Sequence, residues 1–497
     1  MVCSKYPIFK FFIRPVYQSV SFRTKEVAIE HSVIRLKSGE KTPFYEQIYA
    51  YFAAAIRSGA LAAGEKLPSK RRLAQDVGVS ISTVETAYAM LVAEGHLEAK
   101  PRSGFRVCSL SALQRPVTPA PSPAEPVQTP PRFDFSTGRV DTTLFPFAAW
   151  RRLQRQVLAG DEAVLRAGCA QGDEALRQAI ATHLAEFRGV RAEPRQIVVG
   201  AGSEYLTDLL AQLFPGAVFA VEEPGYTRTP RVLANCGATV AYVPVDAHGM
   251  QPAALAASGA ALAYVTPSHQ FPTGATMPVG RRTRLLQWAA QREGRFIIED
   301  DYDSEFRLDG RPLPAMQSLG PQQVIYIGTF SRGIAPAVRI GYLVLPPALL
   351  GAFFSRFGFY SCTVGRIEQQ TLCRFLETGQ YARHQARLRA AYRRKRDAVC
   401  AALLDALAPF SPRIENAHTG LHFVLRLACP CTGKALADAM RRHGVLACPL
   451  SAYFHTGRCS EAGPALVLGF GGLAQQDIRP AAQAMARAAE EACAQHG

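Results

Sequence analysis

The chain is short of acid and has no long apolar run. Its 497 residues carry 40 Asp and Glu against 56 Lys and Arg, a formal net charge of +16. No stretch approaches the roughly 18 apolar residues of a membrane-spanning helix, so no membrane span is expected. The N-terminal Tyr6-Pro7-Ile8-Phe9-Lys10-Phe11-Phe12-Ile13 lacks the apolar length and small-residue cleavage site of a secretory signal. Residues 1–38 read as an extension without a recognisable fold, and a cytoplasmic location is expected. Cys-x-x-Cys is missing: the twelve cysteines are scattered, and Cys429-Pro430-Cys431 is the only close pair. Zinc needs four well-spaced ligands, so no metal site is expected. Disulfide scaffolds are small and cysteine-dense, so this pattern points to a reducing compartment. With 48% hydrophobic residues, full disorder is excluded. The basic excess favours a polyanionic partner, although an ordinary basic cytosolic enzyme carries a similar balance.

Composition divides the chain. Residues 109–131 read SLSALQRPVTPAPSPAEPVQTPP, proline-rich and without apolar periodicity. Such a segment favours extended polyproline II and reaches about 70 Å at about 3.1 Å per residue. The expected organisation is an N-terminal extension (1–41), a small body (42–108), a linker (109–131) and a large body (132–497). Residues 1–108 hold sixteen Lys and Arg against nine Asp and Glu, so the small body is proportionally the more basic.

In the small body, Thr42-Pro43 signals a helix start. Phe44, Ile48, Phe52, Ala55 and Ile56 then share a helical face, and Gly59 closes the segment. Pro68-Ser69 opens a second short helix that Gly78 ends. Ser80 caps a third, with Val84, Tyr88, Leu91 and Val92 on one face. Two short segments then flank a basic turn, Lys100-Pro101-Arg102-Ser103-Gly104. This spacing suits a winged helix-turn-helix. Ser80, Ser82 and Thr83 would face base edges of double-stranded DNA, Lys70, Arg71 and Arg72 its phosphates, and Lys100, Arg102 and Gly104 a neighbouring groove. A small helical packing domain with a solvated basic face fits the same periodicity. The run GEKLPSKRRLAQDVGVSISTVETAYAMLVAEGHLEAKPRSGFRV closely resembles the DNA-binding domain of GntR-family transcription regulators. That family often has Arg after its GVS serine, where this chain has Ile81.

The large body alternates strands and helices. Gln196–Val199, Val218–Val221, Ala263–Val265, Phe296–Ile298 and Val324–Ile327 are each followed by a polar cluster. In open α/β sheets the strand C-termini line the ligand crevice. Gly200-Ala201-Gly202-Ser203-Glu204 is a Gly-rich turn feeding a helix N-terminus, an anion site by its N–H groups. FDFSTGRVDTTLFP, EEPGY, TPSHQFPTG, IEDDYDSEF and IGTFSRGIAPAVRIGYLVLP resemble fold-type-I aminotransferases, which use pyridoxal phosphate. With the N-terminal domain, the chain resembles MocR-type regulators of the GntR family. The fold so implied is a winged helix-turn-helix joined to an α/β aminotransferase-like domain with a mostly parallel sheet.

The resemblance implies roles. Gly202, Ser203 and Glu204 would cradle the cofactor phosphate, with Ser331 and Arg339 completing that site. Tyr226 would stack on the pyridine, Asp300 pair with its protonated nitrogen, and Tyr302 bond its hydroxyl. Taken singly, Asp300 also reads as a helix cap, Tyr226 as a packing residue and Arg339 as a surface ion pair. One departure dominates: the family's Schiff-base lysine after GTFS is Arg332 here. A guanidinium stays protonated and is neither nucleophile nor base. The resemblance therefore implies no transaminase activity, and pyridoxal phosphate, or an amine adduct of it, held without a covalent link. Ala167 and Val467 likewise replace a phosphate-side tyrosine and a carboxylate-binding arginine. A homodimer is implied, since fold-type-I sites lie at a subunit interface.

Three functions compete on these grounds. The chain is a DNA-binding regulator that senses a small-molecule effector, an active aminotransferase with a DNA-binding module, or a regulator with a degenerate pocket. Residues 383–396, RHQARLRAAYRRKR, add seven Lys and Arg and no acid on one predicted helix. They suit a solvated face or a second DNA-contacting surface.

Overall fold

The computed structural model describes residues 24–29, 32–37, 42–101, 103–109, 130–160, 162–310, 313–457 and 463–496. Arg102 and nearly all of the proline-rich 109–131 segment lie outside them. The chain falls into two compact units, divided between Val127 and Gln128.

In the first unit, β1 (Thr24–Ile29) pairs antiparallel with β2 (Ser32–Lys37). For residues 24–29 and 32–37 this corrects the expectation of an extension without a recognisable fold; residues 1–23 lie outside the described residues. Ile34 and Leu36 alternate onto one face of β2 and join the unit's apolar core. The helices follow the capping signals. α1 (Phe44–Ser58) ends at left-handed Gly59. α2 (Lys70–Val77) starts at Ser69, whose hydroxyl accepts the Arg72 N–H, and ends at left-handed Gly78. α3 (Ile81–Ala93) starts at Ser80, which accepts the Thr83 N–H. β3 (Leu97–Lys100) and β4 (Gly104–Val107) form the hairpin, with Lys100 opposite Gly104. Phe44, expected on the buried face of α1, is 39% exposed, and the core positions are Ile48, Phe52, Ala53 and Ile56. Tyr88 fastens the unit: its hydroxyl donates to the Pro68 carbonyl at 3.0 Å, and its ring meets Phe52 and Phe105 edge-on.

The second unit is built on an eight-stranded sheet. After β5 (Phe133–Asp134), its strands are β6 (Ile197–Gly200), β7 (Val218–Glu223), β8 (Thr239–Asp246), β9 (Gly249–Met250), β10 (Leu262–Val265), β11 (Phe296–Asp301), β12 (Val324–Thr329) and β13 (Gly341–Val344). Their spatial order is β6-β13-β12-β11-β10-β7-β8-β9. The five strands from β12 to β8 run parallel, and β13 lies antiparallel between β12 and β6. Apolar clusters cover both faces, which is why these strands read as continuous hydrophobic runs. The C-terminal part adds β14 (Arg413–Glu415), β15 (His422–Arg426), β16 (Val445–Leu446), β17 (Cys448–Pro449) and β18 (Ala465–Gly469). β16 pairs with β5, and the others form a four-stranded sheet.

A disulfide joins Cys429 to Cys493, 64 residues apart. Cys493 lies on the C-terminal helix Ile478–His496, whose apolar side packs in the same core as Cys429. Packing of distant elements brings the two together, and local spacing carries no trace of it. Among the described residues, no helix is long and apolar enough to cross a membrane.

Candidate functional site

In the first unit the polar N-terminus of α3 stands in the open. Ser80, Ser82 and Ile81 are exposed, and the Ser80 hydroxyl lies 2.8 Å from that of Ser82 and 2.7 Å from that of Thr83. Lys70 pairs with Glu85 and sits 5.5 Å from the Phe105 ring centroid, so its charge is partly offset. Arg72 pairs with Asp76 at 3.5 Å. Arg71 is exposed, with no ion-pair partner among the described residues. Lys100 pairs with Glu98 at 3.5 Å at the hairpin tip. Gly104 has φ 90°, a backbone conformation that suits glycine.

In the second unit the polar clusters gather at the C-terminal ends of the parallel strands, as the alternation predicts. Beyond β6, Gly202 opens the helix Ser203–Leu213, and no side chain caps its N-terminus. A Cβ on Gly202 would fall 2.8 Å from an Arg339 nitrogen, so glycine is what lets the guanidinium approach. Arg339 itself has φ 50° and reaches the Ala201 carbonyl and Glu204. The Glu204 carboxylate, hydrogen-bonded by Arg228, is held below its ordinary range. Its negative charge leaves only its N–H suited to an anion. The structure ties Ser331 to Thr329, whose hydroxyl donates to it at 3.1 Å.

Asp300, at the end of β11, is buried. The Tyr264 hydroxyl donates to its Oδ2 at 2.7 Å, while Oδ1 has no partner among the described residues. Burial pushes its carboxyl up to about 7. Such a group is short of a cation, and a protonated ring nitrogen is of the right kind. Tyr226 is 39% exposed and meets Phe271 edge-on, and Phe271 in turn meets Tyr302. Glu222, Tyr226, Tyr264 and Phe271 line one shallow cleft. The Tyr302 hydroxyl already donates to the His269 carbonyl at 2.9 Å. Phosphate cradle, ring-nitrogen partner and aromatic face therefore fit a phosphorylated pyridine. Tyr302 fits only by exchanging its present bond.

Arg332 follows β12. Its guanidinium carbon lies 4.9 Å from the Tyr302 ring centroid, and Nη1 is 3.9 Å from Asp303. Nη1 is buried and makes no hydrogen bond among the described residues. Asp303 is spent on His269, whose Nδ1 lies 3.0 and 3.2 Å from its two oxygens. His422 lies tilted beside His269, ring centroids 4.4 Å apart. These three residues offer ligand atoms within 4.8 Å of one another. Sequence reading missed this grouping, whose members long-range packing brings together from distant parts of the chain. The adjacent guanidinium disfavours a cation there.

A second buried network braces the strand ends. Arg188 pairs with Asp301 at 2.8 Å and reaches Ser268 at 2.7 Å, and Tyr326 donates to the same Asp301 oxygen. Glu305 accepts from Tyr381 at 2.8 Å, and burial pushes its carboxyl up to about 7. An unfolded glutamate releases its proton near 4.5. Between these values the folded chain holds the extra proton, so this group's contribution to stability falls as pH rises. Glu305→Gln is therefore expected to gain stability over the natural chain at pH 8, on the order of 1–3 kcal/mol. Little gain should remain at pH 4.5. Urea titrations at the two pH values check this, and a gain confined to the lower pH would contradict it.

The basic run 383–396 lies on the helix Gln380–Ala406. Lys395 pairs with Asp141, and Arg393 and Arg396 pair with Asp309. Arg383, Arg387 and Arg394 are exposed without an ion-pair partner among the described residues, and Arg393 is exposed but faces Asp309.

Comparison with known proteins places both units. Residues 44–107 match the gntR family of bacterial regulatory proteins, and residues 132–463 match aminotransferase class I and II. A multiple substrate aminotransferase from Thermococcus profundus superposes with a TM-score of 0.66 at 25% identity, covering 74% of this chain and 94% of that one. The fold is thus a GntR-type helix-turn-helix joined to a fold-type-I aminotransferase domain, the architecture of a DNA-binding transcription regulator. The uncharacterized HTH-type transcriptional regulator YhdI of Bacillus subtilis is 37% identical over 89% of this chain and 95% of its own length. The pyridoxine biosynthesis regulator PdxR of Corynebacterium glutamicum is 35% identical over 90% and 96%. The probable rhizopine catabolism regulatory protein MocR of Rhizobium meliloti is 34% identical over 88% and 92%. The chain belongs to the MocR-type subfamily of GntR regulators.

Proposed function

We propose that this regulator binds a specific duplex operator and is controlled by a small molecule held in the aminotransferase-like domain. The ligand is pyridoxal phosphate or an amine adduct of it, bound without a covalent link. The observation that carries this reading is Asp300, a buried carboxyl with one unpaired oxygen, beside a guanidinium rather than an amine. Arg332 stands where aminotransferases keep the Schiff-base lysine, so the domain binds a ligand and does not turn it over. Gly202, Ser203, Glu204 through its N–H, Ser331 and Arg339 hold the phosphate, Tyr226 covers the ring, and Tyr302 turns to the ring hydroxyl. PdxR, a relative named for pyridoxine biosynthesis, adds support for a ligand of this class. Ser80, Ser82 and Thr83 read bases, with Lys70, Arg71, Arg72, Lys100, Arg102 and Gly104 at the backbone or a neighbouring groove. Exposed Ile81 suits a thymine methyl. The test is a titration of pyridoxal phosphate followed by protein fluorescence, with and without operator DNA. Saturable binding that alters operator affinity supports the reading. One observation favours a degenerate pocket instead: the Tyr302 hydroxyl is already bonded to the His269 carbonyl. Failure to saturate would select that alternative.

The reading includes a homodimer, in which two DNA-binding domains bridge half-sites and gain avidity through effective concentration. Sedimentation at micromolar concentration is expected to give a dimer. A monomer with undiminished operator affinity would remove this part.

A further inference from the structure

The guanidinium of Arg332 is positioned but unsatisfied. It rests on the Tyr302 ring, and its near carboxylate, Asp303, already has both oxygens on His269. Nη1 is left buried without a hydrogen-bond partner among the described residues, its ion-pair partner Asp303 standing off at 3.9 Å. A partly buried guanidinium whose Nη1 makes no hydrogen bond calls for an acceptor, and its planar fork matches a two-oxygen anion. The surroundings sharpen the choice. Tyr302 packs against an apolar cluster that includes Phe271, Tyr453 and Val467. That wall offers a ligand carboxylate no counter-charge, so the guanidinium must supply it.

We infer that the crevice selects a pyridine phosphate whose substituent at the aldehyde carbon bears a carboxylate, and that Arg332 is the residue that reads it. This rests on the proposed pyridine-phosphate site and names the ligand's chemistry more closely. The carboxylate has two sources: oxidation of the ring substituent itself, or an amino acid joined through its nitrogen to the cofactor carbon. Both present the same two-oxygen anion to the same fork. A neutral alcohol at that carbon gives the guanidinium a single weak acceptor. An ammonium there meets like charge.

The test is calorimetry on the full-length natural chain with four stable, unreactive ligands that differ only at this carbon. These are 4-pyridoxic acid 5′-phosphate, N-(5′-phosphopyridoxyl)-L-alanine, pyridoxine 5′-phosphate and pyridoxamine 5′-phosphate. One or both carboxylate ligands should bind at least about tenfold more tightly than the alcohol, the scale of a charge-assisted hydrogen bond. The amine should bind most weakly. Preference for the first ligand assigns a ring carboxylate, and preference for the second an amino-acid carboxylate. Arg332→Gln, shown to be folded by a cooperative thermal melt, should bring the carboxylate and alcohol ligands within about threefold of each other. The inference is overturned if all four bind the natural chain within that range, or if the amine binds best, while the pyridine-phosphate site stands. If none binds, the pyridine-phosphate reading itself falls.

Discussion

Arg71→Ala is expected to weaken operator binding across all sequences and to reduce the slope of log affinity against log salt by about one. Each neutralised phosphate releases its counterions, so a lost contact appears in the salt dependence whatever the base sequence. Arg71 is the position to choose because Lys70 is offset by Glu85 and Arg72 pairs with Asp76, whereas Arg71 is exposed beside them. Lys70→Ala should therefore change the slope less. Ser82→Ala should leave the salt slope unchanged and weaken binding at the operator alone, by a few-fold to about a hundredfold, the range of a base contact. Ser80→Ala acts differently. Ser80 caps α3, so its loss costs about 1 kcal/mol of domain stability as well. Deleting residues 1–131 should abolish operator binding. Fluorescence anisotropy at several salt concentrations reads all of these. An unchanged slope for Arg71→Ala would remove Arg71 from the phosphate contacts.

The contrast between Ser80 and Lys70 shows what could be read from the sequence. Ser69, Gly78 and Ser80 mark helix ends because capping is local, and the structure places those ends where the residues predict. The parallel strands were legible for a related reason: buried on both faces, each is an apolar run that must stop where its polar cluster begins. What distant chain supplies was not legible. Glu85 lies 15 residues beyond Lys70, yet it takes up that charge. Three of the seven bases in residues 383–396 are answered by Asp141 and Asp309, so the apparent basic stripe is partly an internal ion-pair network. Asp301, adjacent to Asp300 in the quoted motif, is fixed by Arg188 from 113 residues away. The Cys429–Cys493 bond and the His269–Asp303–His422 cluster depend on the same long-range packing. In β2, the alternation of Ile34 and Leu36 was a usable signal, but two positions are too few to stand out without the helices they pack against.

The second large effect concerns residue 332. Incubation of the natural chain with pyridoxal phosphate, followed by borohydride, should leave no pyridoxyl group on this position. The guanidinium nitrogens are protonated and delocalised, and none presents a free electron pair to an aldehyde carbon. In Arg332→Lys, the amine would enter a site bordered by Tyr302 and by Asp303, which is itself engaged by His269. Partial burial disfavours the charged ammonium and raises the share of neutral amine. The lysine nitrogen can then bond to the aldehyde carbon, with loss of water and appearance of visible colour. Borohydride should fix the group on Lys in stoichiometric yield, detectable by peptide mass. Phosphate grip and ring support are the same in both chains, so the difference isolates the side chain at 332. A colourless variant in excess cofactor would mean that the pocket no longer seats the ring, which Tyr302 bonded to the His269 carbonyl would help to explain. A natural chain that is already yellow and yields a borohydride-stable adduct would show that another amine has taken over. Lys395 is the one to inspect first, although its present bonds to Asp141 and the Gly471 carbonyl hold it in place.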